Sequence, residues 1–404
     1  MDRAAPDEAG FCGVRASEVL LGGSVAFVFY SYCGYPFLLG VLAWIRKRAV
    51  HKGDVEPSVS LIIAAHNEGP RIRDKLENTL RLAYPEPRLE IIVTSDGSVD
   101  GTDAIVAEYG GRGVRLVRTS ERRGKEAAQG LAIESATGQI LAFSDTATIL
   151  PENSIREIAR NFADPSVGCV SSVDRLITEE GAPAGEGAYV RYEMLLRRLE
   201  TRVGSVVGLS GSFFAARREV CRPWRSDLQS DFNTISNTVR QGLRGVSDPD
   251  SIACYRSIAD PSREYDRKVR TVLRGITVLA SQRSLLNPFR YGLFSWQLLS
   301  HKLCRWLVPF AMILALVANI ALAREPIYGA LLVAQLGFYG LAICGGAWPR
   351  VFHGPWFVLP WFLVQVNASI LHAWYAFARG RRIQKWTPST RPPMGGSRAS
   401  GVRL

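Results

Sequence analysis

Paired cysteines and clustered histidines are absent from this sequence of 404 residues, which contains seven Cys and five His. No two cysteines are spaced as C-x-x-C, so neither a zinc site nor a disulfide framework is indicated, and buried thiols in a reducing compartment are predicted. The scattered histidines argue against a histidine metal cluster. Because the 37 Gly and 21 Pro are dispersed and 47% of the residues are hydrophobic, a disordered or collagen-like chain is excluded.

Acidic residues are missing from the C-terminal tail, residues 379–404, although the whole chain combines 49 Lys and Arg with 37 Asp and Glu for a net charge of +12. The charged residues of the tail are all basic: Arg379, Arg381, Arg382, Lys385, Arg391, Arg398 and Arg403. Such an excess suits nucleic acid or an anionic membrane. Because the tail directly follows an apolar stretch, we expect lipid head groups rather than nucleic acid as its partner.

A first charge-free run covers residues 19–45, after an acidic N-terminal segment of residues 1–18. With about 27 residues, the run is long enough to cross a hydrocarbon layer of about 30 Å, and it predicts a transmembrane helix. A cleaved signal peptide is the alternative, but the run is too long and the preceding segment is acidic where a signal is basic. Basic residues crowd positions 46–52, so the positive-inside rule predicts a cytoplasmic location for the next segment.

Residues 57–284 are predicted to form an α/β domain, because apolar runs of strand length alternate with segments of helical period. The predicted strands are 58–65, 89–94, 114–117 and 139–143. The predicted helices are 71–82, 102–109 and 125–137. Short strands with crossover helices imply a mostly parallel sheet whose ligand lies at the carboxyl ends of the strands.

Three more charge-free runs lie within residues 306–378 and predict three C-terminal membrane helices, at 306–323, 326–348 and 354–378. Residues 285–305 mix aromatic and basic side chains and predict an amphipathic helix in the membrane interface. Three crossings would leave the basic tail outside, against the positive-inside rule. Two alternatives remain open: a re-entrant last segment, which contains Pro355 and Pro360, or a partial insertion at 285–299.

Acidic residues follow two neighbouring predicted strands. The first strand runs into His66, Asn67 and Glu68, and the second is followed by Asp96 and Gly97. At such an edge two carboxylates can accept the N–H of a base and the hydroxyls of a ribose, while the glycine lets a backbone come close. As an alternative, Asp96 and the serine at 98 cap the helix that begins near position 102. Both interpretations stay open at this point.

A third acidic residue and a lysine are also predicted to lie at the carboxyl ends of these strands. Lys125 begins the third predicted helix, and Asp145 closely follows the fourth predicted strand. An acid in this position can hold Mg²⁺ or Mn²⁺ against a diphosphate, because these ions prefer oxygen ligands. The lysine adds a positive charge toward the same phosphates.

Five motifs occur in order along the domain and into the segment beyond it. They are Ala64-Ala65-His66-Asn67-Glu68, Ser95-Asp96-Gly97-Ser98 with Asp100-Gly101-Thr102, Gly124-Lys125, Ser144-Asp145, and 208–218 leading to Ser230-Asp231-Phe232. In this order they resemble the family 2 glycosyltransferases of the GT-A fold. Residues 208–218 are similar to the acceptor-side segment of that family, and 230–232 lie where it carries its general base. The resemblance extends to Ser300-His301-Lys302 and to 379–391 in the membrane part.

The resemblance implies an inverting transfer from a nucleotide sugar. The donor-binding residues that it implies are Ala65, Asn67, Glu68, Asp96, Gly97, Lys125, Asp145, Arg267 and Arg270. Within this set, Glu68 and Asp96 would touch the nucleoside, and Asp145 would bind the Mg²⁺ or Mn²⁺ that bridges the diphosphate. Asp231 would take the proton of the acceptor hydroxyl as that oxygen attacks the anomeric carbon. Asp227 is the alternative base, although helical spacing would equally make it a surface neighbour.

Some positions depart from the family pattern. Where many members have D-x-D, this chain has a single carboxylate at Asp145, and position 230 is Ser where many have a second acid. Processive polysaccharide synthases carry Q-x-x-R-W before the membrane helices, whereas the matching residues here are Glu264, Arg267 and Lys268. The arginine is retained and is expected to grip the diphosphate. The loss of the Gln and the Trp argues against an enzyme that extrudes its own polymer.

A basic amphipathic helix is predicted at 186–202, just before the acceptor-side segment. Such a helix can hold the phosphates of a lipid-linked acceptor near the membrane. An ordinary solvated helix with Glu193 and Glu200 in helical pairs explains the same pattern. In the tail, Trp386 resembles a family motif, and a simple interfacial anchor explains it equally well.

The leading hypothesis is a bacterial inner-membrane glycosyltransferase with a cytoplasmic catalytic domain. It would transfer a sugar, with UDP as the expected carrier, to a lipid-linked or growing polysaccharide acceptor in exopolysaccharide or capsule synthesis, alongside other polysaccharide-assembly proteins. The first alternative is a processive synthase with a polar pore, for which the candidate residues are Gln335, Tyr339, Gln365 and Asn367. The second is a catalytically silent membrane scaffold, which the single acid at Asp145 permits but the ordered acids disfavour.

Overall fold

The computed structural model describes residues 8–177, 188–256, 261–352 and 354–383. The expectations for Trp386 in the tail and for a helix start at Glu186 concern residues outside these ranges. The chain divides into two compact units. The sheet unit comprises Leu39–Arg263, Arg274–Leu298 and Arg382–Leu404, and the helical unit comprises Met1–Leu38, Glu264–Leu273 and Leu299–Arg381.

The helices and strands of the described residues are as follows. The α-helices are α1 Glu8–Phe29, α2 Tyr35–Arg46, α3 Gly69–Thr79, α4 Thr102–Ala107, α5 Lys125–Ser135, α6 Ser154–Arg160, α7 Ala188–Val203, α8 Ser230–Arg240, α9 Pro261–Ser281, α10 Pro288–Tyr291, α11 Leu293–Leu298, α12 Arg305–Ala321, α13 Pro326–Ala347 and α14 Pro355–Ala378. The strands are β1 Val59–Ala65, β2 Leu89–Asp96, β3 Val114–Thr119, β4 Ile140–Asp145, β5 Val167–Ile177, β6 Phe213–Arg217 and β7 Arg244–Arg256.

The seven strands form one mixed sheet in the order β3-β2-β1-β4-β6-β5-β7. β1 pairs in parallel with β2 and β4, and β2 pairs in parallel with β3. β6 is antiparallel to its neighbours β4 and β5, and β5 is parallel to β7. All seven residues of β1 are buried, as expected for an uninterrupted apolar strand that is covered on both faces of the sheet.

The four predicted strands are confirmed, and three of them run further than predicted. β2 continues to Asp96 and β4 to Asp145, so each of these carboxylates belongs to the last residue of a strand. The parallel half alternates its strands with α3, α4 and α5, which confirms the α/β class. β5, β6 and β7 were not predicted as strands, and the antiparallel β6 makes the sheet mixed.

The stretch of chain that follows α2 is bound to the edge of the sheet. Arg244, at the start of β7, donates to the carbonyl oxygens of Arg48 at 3.4 Å and Ala49 at 2.9 Å, and its guanidinium lies 3.5 Å from the Asp164 carboxylate. Lys52 adds a salt bridge of 2.5 Å to a carboxylate of β7. This stretch is therefore a fixed part of the sheet unit rather than a loose tether.

Among the described residues, four helices are long and apolar enough to cross a membrane: Arg15–Arg46, Leu293–Ala321, Pro326–Ala347 and Pro355–Ala378. This agrees with the one N-terminal and three C-terminal helices predicted from the sequence. A π-helical segment, Tyr30–Gly34, joins α1 to α2, and a second one, Leu299–Cys304, precedes α12. A hydrogen bond of 2.7 Å between the hydroxyls of Tyr30 and Ser300 connects the two segments within the helical unit.

Residues 285–305 differ from the single interfacial helix that the sequence predicts. α10 ends at Tyr291 and is followed by Gly292, whose φ of +55° interrupts the helix. α11 then runs into the π-helical segment before α12. Phe294 and Leu298 are buried, whereas Phe289 is 99% exposed. The second part of the segment is therefore a packed extension of α12.

The cysteines agree only partly with the prediction of buried thiols. All those described are free: Cys33, Cys169, Cys221, Cys254, Cys304 and Cys344. Four of them are buried, but Cys344 is half-buried and Cys33 is exposed. The prediction is wrong for Cys33, which lies in an apolar helix where the sequence pattern does not reveal which face is covered.

The Arg244→Met substitution is expected to destabilise the sheet unit by about 3 kcal/mol, because it leaves two backbone carbonyls and a buried carboxylate without their cation. Thermal denaturation of the solubilised protein measures the change. Arg73→Met is the matched control, since the Arg73–Glu108 pair is exposed and should contribute at most about 1 kcal/mol. Equal melting temperatures for both variants would contradict the role of Arg244.

Candidate active site

The ends of the parallel strands bring the predicted acids to one edge of the sheet unit. Ala65 of β1 lies opposite Ser95 of β2, and Ala64 lies opposite Asp145 of β4. Asp96 and Asp145 therefore end the two strands that flank β1. The methyl group of Ala65 is buried in the core, so a donor at this edge would meet only its backbone.

The loops after β1 and β2 are hydrogen-bonded to each other. The N–H of Asn67 donates to the Ser98 hydroxyl at 3.1 Å, and the Asn67 side-chain oxygen accepts from the N–H of Val99 at 2.9 Å. The N–H of Glu68 donates to the Thr102 hydroxyl at 2.9 Å. Asn67 has a φ of +52°, a conformation that asparagine tolerates better than most residues. Its side chain thus joins the two loops, and its contact with a donor stays a prediction.

The Asp96 carboxylate holds the loop that leads into α5. It is buried, and its two oxygens accept hydrogen bonds from the N–H groups of Arg123 at 2.7 Å and Gly124 at 2.9 Å. The alternative that Asp96 caps the helix beginning at Thr102 is wrong, because the N–H of Thr102 donates to Asp100 at 3.1 Å instead. Asp96 therefore positions the residues just before Lys125.

Gly97 is required by the approach of the chain's own backbone. It has a φ of +60°, and a Cβ at this position would lie 2.7 Å from the backbone nitrogen of Arg122 and 2.8 Å from the carbonyl carbon of Glu121. The sequence predicts that a backbone comes close to this glycine, and in the structure the backbone of the loop before α5 does so. Its contact with a donor stays a prediction.

Glu68 is buried and pairs with Arg71, whose Nη2 lies 2.7 Å from Oε2 of the carboxylate. Burial raises the pKa of Glu68 to about 7, and Arg71 opposes this increase. Repulsion from Asp145 and Asp100 raises it further. Glu68 is therefore close to half-protonated at neutral pH, and its predicted contact with the nucleoside would depend on pH.

Lys125 and Asp145 form the ion pair at the centre of the candidate site. Lys125 is the first residue of α5, and its Nζ lies 2.5 Å from Oδ1 of Asp145. Burial acts to lower the pKa of Lys125, but the adjacent Asp145 outweighs this effect and the pKa is raised. Because 28% of the Asp145 side chain remains exposed, its carboxylate is accessible to a ligand.

The donor set at Asp145 is compatible with a divalent cation only if the substrate supplies further ligands. Among the described residues, no group of three or more His, Cys, Asp and Glu side chains could hold a metal ion by itself. Mg²⁺ is commonly bound by one or two carboxylates together with substrate phosphates. An accessible single carboxylate beside Lys125 fits this mode.

Lys75 lies beneath this site and was not singled out by its sequence. It is fully buried in α3, and its Nζ donates to the Ser144 hydroxyl and to the carbonyl oxygen of Thr148, both at 2.7 Å. Burial lowers the pKa of Lys75 to about 7. Because these two acceptors lie on either side of Asp145, the lysine fixes the end of β4 from below.

The acceptor-side segment connects Asp145 with the predicted base. The carbonyl oxygen of Ser212 accepts from the N–H of Asp145 at 3.0 Å. A Cβ on Gly211 would lie 3.2 Å from Oδ2 of Asp231. The hydroxyls of Ser210 and Ser212 both donate to Asp174 of β5, which holds the segment in place.

Asp231 lies in the first turn of α8 and is buried. Its Oδ1 accepts from the N–H of Phe232 at 2.7 Å, and its Oδ2 accepts from the side-chain amide of Gln229 at 2.9 Å. Burial raises the pKa of Asp231, and Arg274 is the largest opposing influence. A raised pKa suits a carboxylate that must take up a proton near neutral pH.

Asp227 is less suited to the same role. It precedes α8, which begins at Ser230, so it lies outside that helix. Its carboxylate pairs with Arg225 at 2.5 Å, and this hydrogen bond lowers the pKa of Asp227. Proton uptake by Asp227 would therefore be less favourable than by Asp231.

Glu126 and Arg274 are buried charged residues of the site that sequence reasoning missed. The Arg274 guanidinium, on α9, pairs with the Glu126 carboxylate at the start of α5. The two positions are 148 residues apart. The resemblance points to Arg267 and Arg270 on the same helix, which belong to the helical unit. Their predicted grip on the diphosphate stays a prediction.

The sheet unit that carries this site matches a known family of enzymes. Residues 60–224 match the family described as Glycosyl transferase family 2. The chain therefore carries a family 2 glycosyltransferase domain, and the class of enzyme predicted from the sequence is confirmed. The mannosyltransferase PcManGT from Pyrobaculum calidifontis, solved with GDP-Man and Mn²⁺, has a similar structure with a TM-score of 0.72 at 21% identity, covering 91% of this chain and 100% of that one. This similarity confirms the GT-A fold.

Curated relatives include synthases and a glycosyltransferase. The poly-beta-1,6-N-acetyl-D-glucosamine synthase of Staphylococcus epidermidis is 25% identical over 186 residues, which is 44% of each chain. The match thus spans less than half the length of that relative. The uncharacterized glycosyltransferase YaiP of Escherichia coli (strain K12) is 26% identical over 381 residues, covering 87% of this chain and 90% of that one.

Gly97→Ala is expected to weaken nucleotide diphosphate binding by about tenfold or more, because the new methyl group must displace the loop that Asp96 holds. Isothermal titration calorimetry of the purified protein measures the change. Gly101→Ala is the matched control: its φ is +84°, but a Cβ there meets nothing within 4 Å. That variant should lose only about 1 kcal/mol of stability and keep its affinity; equal losses of affinity would show that backbone strain alone is responsible.

Proposed function

We propose that this protein is an inverting glycosyltransferase that moves a sugar from a nucleotide sugar to a lipid-linked or growing polysaccharide acceptor. The observation that carries the proposal concerns the acceptor-side segment, where the carbonyl of Ser212 accepts from the N–H of Asp145 and Gly211 lies beside the buried Asp231 of α8. The proposed proton acceptor and the proposed diphosphate-binding carboxylate therefore both lie next to one short stretch of chain. These are the two groups that a single displacement at an anomeric carbon requires.

The proposed reaction is a direct displacement. Asp231 accepts the proton of the acceptor hydroxyl while the oxygen forms a bond to the anomeric carbon. The bond from that carbon to the nucleotide diphosphate breaks, and the nucleotide leaves with the electron pair. Lys125 places a positive charge where the leaving group gains negative charge. Because attack and departure occur on opposite faces in one step, the configuration is inverted.

A divalent cation, Mg²⁺ or Mn²⁺, is proposed at Asp145. The support is its accessible carboxylate and the Mn²⁺ in the structure of the Pyrobaculum mannosyltransferase. When bound, such an ion neutralises the charge of the departing diphosphate. Lys125 then shares this role rather than forming an ion pair with Asp145 alone.

The proposed process is exopolysaccharide assembly at a bacterial inner membrane. The synthase of Staphylococcus epidermidis makes a poly-N-acetylglucosamine, which favours a polysaccharide or its lipid-linked precursor as acceptor. The four apolar helices and the basic residues at 46–52 favour a membrane protein whose catalytic domain faces the cytoplasm. A UDP-sugar is the first donor to test, followed by GDP- and dTDP-sugars, and other polysaccharide-assembly proteins are the expected partners.

The last described residues indicate on which side of the membrane the C-terminal tail lies. Arg382 and Ile383 belong to the sheet unit, where they line a cavity of about 200 Å³ with Gln229 and Arg274. We infer that the tail begins on the side of the catalytic domain.

Asp231→Asn is expected to lower sugar transfer by about a thousandfold, because the amide cannot accept the proton. Nucleotide diphosphate binding should remain, since Asp231 is assigned to the acceptor side. The measurement is nucleotide release by the protein in lipid nanodiscs with a panel of donors, Mg²⁺ or Mn²⁺, and a lipid-linked acceptor. Asp227→Asn serves as the control and should stay active. Substantial transfer by Asp231→Asn would move the base elsewhere.

A green fluorescent protein fused after Leu404 is expected to fluoresce in bacterial cells, because it folds only in the cytoplasm. The same fusion to an alkaline phosphatase should be inactive. The control is a pair of fusions truncated after Ala323, beyond the first C-terminal helix, which should report the opposite side. An active phosphatase at the full-length C-terminus would contradict a cytoplasmic tail.

A further inference from the structure

Arg274 is a buried cation that the proposed reaction does not yet use. Only 13% of its side chain is exposed, and 3% of that of Glu126, its ion-pair partner. The backbone of Glu126 is also held, because its carbonyl oxygen accepts from the indole N–H of Trp224 at 2.7 Å. The guanidinium is thus anchored to a fixed turn at the start of α5.

Arg274 and Gln229 line the same cavity, and the Gln229 amide donates to Oδ2 of Asp231. The cavity therefore reaches the side chain of Gln229, which binds the proposed base directly. Asp231 has hydrogen bonds from two neutral donors, the Gln229 amide and the N–H of Phe232. Neutral donors orient a carboxylate, but burial still favours its protonated form, which cannot accept a proton.

Several charged groups act on Asp231 from the surrounding elements. Burial raises its pKa most, Arg274 lowers it, Lys125 lowers it less, and Glu126 raises it. The charge of Lys125 is already matched by Asp145. Asp227 is matched by Arg225, and Arg382 also lines the cavity. Arg274 is therefore the main cation acting on the base.

We propose that Arg274 is a positioning residue for the reaction: its guanidinium, held by Glu126, supplies the positive charge that keeps the buried Asp231 carboxylate ready to accept a proton. This inference rests on the proposed function, in which Asp231 is the base. Lys125 and Glu126 are consecutive, so one turn of α5 anchors both sides of the reaction. Lys125 contacts the donor-side carboxylate, and Glu126 holds the cation on the base side.

The test is the pH dependence of kcat for sugar transfer by the full-length protein in nanodiscs. Arg274→Gln should move the acid limb of the profile upward by about one pH unit, because a nearby positive charge is lost. Transfer should then be about tenfold slower near pH 6 and recover at alkaline pH. Arg274→Lys keeps the charge and should leave the limb nearly unchanged. A purely structural role would lower kcat at every pH without moving the limb, and would overturn the proposal.

Glu126→Gln keeps the positive charge of Arg274 but removes the carboxylate that holds it, so it tests the two contributions separately. It should lower kcat without recovery at alkaline pH, because the guanidinium is no longer held, and its acid limb should not rise, because a negative charge near Asp231 is also lost. An upward shift in this variant would contradict the assignment of the anchor. Melting temperatures of all variants identify losses that come from unfolding.

Two controls complete the design. Arg156→Gln removes an arginine from another salt bridge, with Glu56, in the same unit, and it should leave the profile unchanged; a shifted limb in this control would overturn the assignment to Arg274. Asp231→Asn distinguishes the two levels of inference. If that variant transfers sugar, the proposed function fails; if it is inactive while Arg274→Gln keeps the wild-type limb, only the role of Arg274 fails.

Discussion

The ion pair between Lys125 and Asp145 is the interaction on which the rest of the site depends. It joins the first residue of α5 to the last residue of β4 across 2.5 Å. Only 10% of the Lys125 side chain is exposed, so the adjacent Asp145 carboxylate compensates for the water that the ammonium group has lost. The pair fixes where α5 begins, and the next residue, Glu126, then reaches Arg274. The first turn of α5 therefore binds both Asp145, the proposed donor-side carboxylate, and Arg274, the cation near the proposed base.

The loops of the cleft are held by bonds within the chain before any substrate arrives. Asp96 binds the N–H groups that precede Lys125, Asn67 joins the first two loops, and Lys75 supports the end of β4 from below. Asp96 and Lys75 are buried, where hydrogen bonds are strong and unsatisfied groups are costly. Such a site needs little rearrangement when charge develops in the reaction, which is the condition for electrostatic stabilisation of a leaving group.

The sequence predicts the parallel half of the sheet well, because uninterrupted apolar runs such as β1 are typical of strands covered on both faces. It also predicts that Asp96 and Asp145 share an edge, since parallel strands end on the same side. It does not predict β5 to β7, whose pattern is less regular, nor the partners of these acids. Arg274 and Glu126 are far apart in sequence, and only the folded chain brings the two side chains together. Residue type and the local periodicity of a helix do not predict which distant residue a side chain will contact.

The polar side chains of the helical unit are used in packing. The amides of Asn319 and Gln335 lie 3.1 Å apart between α12 and α13, and the Asn367 amide donates to the Tyr32 hydroxyl at 3.3 Å and to the carbonyl oxygen of Leu363 at 2.9 Å. In an apolar environment such bonds hold helices together, because an unpaired amide would have no water to bind. Gln335 and Asn367, two of the four residues considered for a polymer pore, therefore have partners within the protein. The bonds of these two amides therefore lend no support to the alternative of a polymer pore.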